Sequence, residues 1–148
     1  MTYNSNTTTK NLMMAVMALV TITASVNADH YRGLEAQCRD IALSEWPNDY
    51  EMQKYTCEKQ LSAARYMASA AIIDDEVKAI ALMEWPNDFE MQKYTYEKQL
   101  SAKRYMNSAA ITDAECKEIA LREWPSDYEM QKYTYEKQLS AKLVMQSR

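Results

Sequence analysis

The sequence predicts an all-α protein: a short α-solenoid of three 39-residue helical hairpins, each pairing a short helix with a long one. Three observations carry that prediction. EWPNDYEMQKYTCEKQLSA at 45–63 returns as EWPNDFEMQKYTYEKQLSA at 84–102 and EWPSDYEMQKYTYEKQLSA at 123–141, placing tryptophans at 46, 85 and 124. One Gly and three Pro in 148 residues leave little material for strand turns or phosphate-cradling loops. Apolar residues between the tryptophans recur at helical spacing, and a fixed period of this length is the mark of stacked repeats.

The expected organisation is a leader over 1–28, a disordered stretch over 29–34 and a single repeat domain over 35–148, with repeats of about 35–73, 74–112 and 113–148. The leader is read from Lys10, the apolar run Leu12–Val20 and the small residues Val26 and Ala28, after which cleavage is expected. The apolar stretch is shorter than the roughly 20 residues that span a bilayer, which favours cleavage over anchoring. All 21 acidic residues and all but one of the 17 basic residues follow Ala28, leaving a mature charge of about −5. Such a chain lacks the electrostatic footprint of a nucleic-acid binder, and no polybasic run suggests a membrane surface. A periplasmic or secreted location follows.

Within each repeat the short helix opens on a capping signal, clearest in Thr112-Asp113-Ala114-Glu115, read with Thr112 as the cap. Its core face is Cys116, Ile119 and Ala120, matching Val77, Ile80 and Ala81 one repeat earlier. Trp46-Pro47, Trp85-Pro86 and Trp124-Pro125 end it, because proline lacks a donor and disfavours helical geometry in the residue before it. Asn48, Asn87 and Ser126 then read as caps of the long helix, with Glu51, Glu90 and Glu129 closing a capping box and Pro47 and Met52 as a hydrophobic staple. The long helix meets no evident breaker until about Ala70. It is apolar on two sides, as a helix stacked between neighbours requires.

By period and helix pairing alone this arrangement resembles α-hairpin repeats of the tetratricopeptide kind. The small residue of their first helix and their closing proline are absent, so no family function is carried over. Over the 27 positions from 40, 79 and 118, copies one and two match at 22 and copies two and three at 21, surface residues included. Repetition alone therefore marks no residue as functional.

Cys38 and Cys57 are equidistant from the first hairpin's turn and are expected to form a disulfide in an oxidising compartment. Cys116 has no such partner, since Tyr135 stands where Cys57 stands, and it is expected to be a free thiol in the core. No enzyme is expected. The one histidine, His30, lies at the start of the mature chain, so a Ser-His or Cys-His nucleophile has no base. No cofactor or metal is expected either: the turn acids lack the glycine-bearing calcium loop, and no His/Cys cluster has zinc spacing. The tyrosine surplus is the strongest surface signal. Core packing between long helices accounts for most of it, and Gln60, Gln99 and Gln138 are read first as bonding across helices; the alternative is that Tyr55, Tyr66, Tyr94, Tyr105 and Tyr133, with those glutamines, form a binding surface for a protein or peptide. The sequence thus reads as an exported, non-enzymatic protein-binding or scaffold module. The alternatives are a self-assembling envelope protein, joined through its stack ends or Cys116, and a redox protein using the Cys116 thiol.

Overall fold

The computed structural model describes residues 32–147, which are helices and short connections with no strand among them. Short and long helices alternate: α1 (32–45), α2 (Tyr50–Met67), α3 (Asp75–Glu84), α4 (Phe89–Met106), α5 (Ala114–Glu123) and α6 (Tyr128–Gln146). The leader over 1–28, its cleavage site and His30 lie outside the described residues. Residues 32–34, expected to be disordered, belong to α1, and the half-buried Leu34 gives them a reason to be ordered.

The chain falls into two compact units, Met1–Glu58 and Lys59–Arg148, divided within α2. In the first, Cys38 and Ala42 of α1 are buried. The Trp46 N–H donates to Ala42 O at 2.9 Å, and the Asp49 N–H returns to Trp46 O at 3.3 Å, so Pro47 and Asn48 form the tip of a tight turn.

In the second unit α3 packs on α4, α5 on α6, and the two long helices α4 and α6 on each other. Two cores of the same design result. Met67, Val77, Ala81 and Tyr96 form one; Met106, Cys116, Ala120 and Tyr135, each 39 residues later, form the other. Val77, Ala81, Cys116 and Ala120 fall on the core face where periodicity puts them, whereas Ile80 and Ile119, expected on the same face, are only half-buried and join neither core.

Two boundaries differ from expectation. The long helix stops at Met67 and Met106, because Ser69 and Ser108 build a turn there. The hydroxyl of Ser69 donates to Tyr66 O at 2.8 Å and accepts from Ala71 N at 3.2 Å, and Ser108 repeats both bonds with Tyr105 and Ala110. The caps also shift by one residue. Asp49, Asp88 and Asp127, not Asn48, Asn87 and Ser126, accept from the backbone of Met52, Met91 and Met130 at 3.0, 3.1 and 3.1 Å. Likewise Asp113, not Thr112, caps α5, and Asp74 caps α3.

The turn explains the shift. With Asp49 bound to Trp46 O, the residue between it and proline sits inside the turn, and the first extended residue able to reach the helix is the aspartate. Glu51, Glu90 and Glu129 accordingly occupy the second helical position and do not close a capping box, although they still complement the helix dipole. The staple of Pro47 on Met52 falls out of register for the same reason. Its place is taken by a glutamine: Gln53, Gln92 and Gln131 each donate Nε2 to the carbonyl of Trp46, Trp85 and Trp124 at 2.6 Å.

Candidate binding surface and thiols

The residues expected to form one surface have three different fates. Gln60 and Gln99 are buried, at 2% and 3% exposure, and carry no open surface. Each holds the start of the next long helix. Gln60 donates Nε2 to Asp88 Oδ1 at 2.9 Å, while its Oε1 accepts from the backbone N–H groups of Phe89 and Glu90 at 2.8 and 3.2 Å. Gln99 does the same at Asp127, Tyr128 and Glu129, at 3.0, 2.8 and 3.3 Å. One amide thus serves two of the N–H groups that a helix start leaves without an intrahelical partner.

Tyr66 and Tyr105 are half-buried against the two cores. Tyr66 meets the edge of Tyr96 with ring centroids 6.4 Å apart. Lys93 lies 5.0 Å above the Tyr66 ring and Lys132 4.9 Å above Tyr105, so each ring is roofed by the following long helix. These tyrosines are junction residues too.

Tyr55, Tyr94 and Tyr133 remain open, about half exposed. Lys98 and Lys137 lie over Tyr94 and Tyr133 at 5.4 and 4.7 Å, a cation set over each aromatic face. Beside Tyr94 a cavity of about 270 Å³ lies between α2 and α4, lined also by Lys59, Ser62, Lys93 and Glu97. Sequence reasoning missed a second exposed row on the short helices: Leu43, Leu82 and Leu121, with Trp46, Trp85 and Trp124 three residues on, are all more than a third exposed. Its signal was present, since these positions lie off the face defined by Val77 and Ala81.

Ion pairs brace each hairpin of the second unit. Lys103 meets Asp74 and Glu76 at 2.8 Å each, and Lys142 meets Asp113 and Glu115 at 2.8 and 2.9 Å. Lys103 also stands 4.9 Å above the Tyr128 ring of the next hairpin. Lys103, followed by the Tyr128 hydroxyl, lowers the Glu76 carboxyl below its usual range. The backbone N–H of Cys116, followed by Lys142, lowers Asp113 to about 2.

Cys38, Cys57 and Cys116 are free thiols in the structure. Burial, then the neighbouring Cys57, then Glu35 push Cys38 up to about 11, so the first two cysteines feel each other. Burial, followed by Asp113, also raises Cys116, which is 2% exposed. Among the described residues no three His, Cys, Asp or Glu side chains gather as a metal-ion set, and no helix is long and apolar enough to cross a membrane. Comparison with protein families, curated proteins and solved structures finds no match.

Proposed function

We propose that this chain is an exported α-solenoid of three stacked hairpins that works without catalysis, as a scaffold that binds a protein or peptide along its long-helix face. The observation that carries the reading is the division of labour among the repeated polar residues. Gln60 and Gln99 are consumed in fastening one long helix to the next, whereas Tyr94 and Tyr133 are left open beside lysines at the same repeat spacing. Tyrosine offers wide contact at low entropic cost, and regular spacing suits an extended partner. In an oxidising compartment we infer a Cys38–Cys57 bridge, supported by their electrostatic proximity and by their alignment with Cys116 and Tyr135, which share one core. Burial and the raised titration of Cys116 weigh against redox use of that thiol, which needs an accessible thiolate.

The test is a photo-reactive side chain placed at Tyr94, at Tyr133 or, as control, at the exposed Glu118 of α5, in cells producing the full chain. Adducts from the two tyrosine positions, none from Glu118, and a mature mass beginning at Asp29 are the expected results. Equal labelling at all three positions, or a product retaining residues 1–28, would sink the reading.

A further inference from the structure

The chain carries both halves of a junction that it completes twice within itself. The completed junction has a donor side, a glutamine with a methionine seven residues on, and an acceptor side, an aspartate cap, the N–H after it and the core of the receiving hairpin. Gln60 bonds Asp88 and the Phe89 N–H while Met67 packs with Val77, Ala81 and Tyr96; Gln99 bonds Asp127 and the Tyr128 N–H while Met106 packs with Cys116, Ala120 and Tyr135. Repeating the period forward gives Gln138 and Met145, and repeating it backward gives Asp49 and Tyr50.

Both remaining halves are open. Met67 and Met106 are 4% and 2% exposed, but Met145 is 69% exposed. Phe89 and Tyr128 are half-buried, but Tyr50 is 83% exposed. Gln60 and Gln99 are buried, whereas Gln138 is only half-buried. Beside Tyr50 lies a cavity of about 500 Å³, lined by Ala42, Leu43 and Cys57 and also by the charged Arg39, Lys54 and Glu58.

The third repeat also adds apolar surface here: the positions of Arg104 and Tyr105 become Leu143 and Val144, both at least half exposed. The charge on this side is prepared as well: Lys142, the counterpart of the Lys103 that covers Tyr128, has the position from which to cover another Tyr50.

We propose that the occupant of each open half is a second copy of this chain. Gln138 of one molecule docks on Asp49 and the Tyr50 N–H of the next, and Met145 on its Ala42 and Cys57, the counterparts of Ala81 and Tyr96, reproducing the Gln99–Asp127 junction between molecules. The contact joins two different surfaces, so it continues from copy to copy unless the assembly closes on itself. The inference rests on the stacked-hairpin reading and adds the partner that its end faces take.

Sedimentation velocity of the full chain over a wide concentration range, in reductant to remove any link through Cys116, tests it. The weight-average mass should climb with concentration. Gln138→Glu, which sets a carboxylate against Asp49, should weaken association roughly tenfold or more. Adding Asp49→Asn should restore it, because asparagine keeps the cap and supplies an amide donor to the new carboxylate. A constant monomer mass, or growth that ignores both substitutions, overturns the proposal. The stacking reading fails separately: it is lost if Gln99→Ala unfolds at the same denaturant concentration as the parent, whatever the mass.

Discussion

The first hairpin and the two that follow share most of their residues yet solve one problem differently. In hairpins two and three a tyrosine fills the space between short and long helix, fully buried, with its hydroxyl accepting from the connection that leads into the short helix. Tyr96 accepts from Ile73 N at 2.9 Å, and Tyr135 from Thr112 N and Asp113 N at 3.1 and 3.3 Å. In hairpin one that position is Cys57. The residue matching Ile73 is Leu34, which lies in α1, where the structure shows helix and not a connecting segment. A tyrosine serves where the chain enters the short helix through such a connection; in hairpin one the matching residue lies within α1, and Cys57 stands in its place.

The widest gap should appear on truncating that position. Tyr135→Ala removes a fully buried ring, and a loss of about 3–5 kcal/mol is expected. Tyr135→Phe, which removes only the hydroxyl that two backbone donors share, should cost about 1–2 kcal/mol. Cys57→Ala in reductant should cost less than Tyr135→Ala, since a smaller, partly exposed side chain is removed. Urea unfolding of the three variants ranks them, and equal losses at 57 and 135 would erase the distinction between the hairpins.

This contrast also marks how far the sequence could be read. The period, the proline stop and the buried faces of Val77, Ala81, Cys116 and Ala120 followed from spacing, because a duplicated helix must repeat its core. The cap did not, since Asn-Asp and Ser-Asp place two good capping residues side by side and only the turn closed by Asp49 chooses between them. The stop at Ser69 was hidden because serine breaks a helix only when its hydroxyl finds the backbone. Spacing could not divide surface from junction for a related reason. Gln60, Tyr66 and Tyr55 are all amphipathic residues of one helix, and the fates of Gln60 and Tyr66 depend on Asp88 and Lys93, groups 28 and 27 residues away.

Oxidation should sharpen the difference from the other side. A Cys38–Cys57 bridge closes a loop of about 20 residues and is expected to add about 3 kcal/mol, chiefly by restricting the unfolded chain. Only hairpin one has the two thiols, so the gain should vanish in Cys38→Ala and persist in Cys116→Ala. Unfolding each variant with and without reductant checks this. A gain that depends on Cys116 would mean that the pairing is wrong.

The glutamines make a comparison within one residue type. Gln99→Ala leaves the backbone donors of Tyr128 and Glu129 without their acceptor and should cost about 2 kcal/mol, whereas Gln138→Ala, at low protein concentration, should stay within about 0.5 kcal/mol. Chemical denaturation of dilute samples separates them. Similar losses would mean that the amide acts within its own helix and does not fasten the next.

The smallest expected effect is confined to the later hairpins and is read by acid. Asp113 caps α5 and meets Lys142, and together these contacts hold its carboxyl at about 2, below the ordinary 3.8. A carboxyl lowered by folding stabilises the fold fully above its unfolded value. That contribution fades as pH falls from about 4 towards about 2, where the folded state must also take up the proton. Asp74 with Lys103 is lowered in the same direction. The matching positions in hairpin one are Glu35, inside α1, and Ala64, which has no charge to offer. Replacing both Asp74 and Asp113 by Asn keeps the caps while removing the titration, so the double variant should lose less stability than the parent between pH 4 and pH 2. Hydrogen exchange across that interval should place the parent's acid-sensitive opening at the starts of α3 and α5. Opening that begins instead in α1 would show that the first hairpin, not the ion-paired ones, is the acid-labile part of the chain.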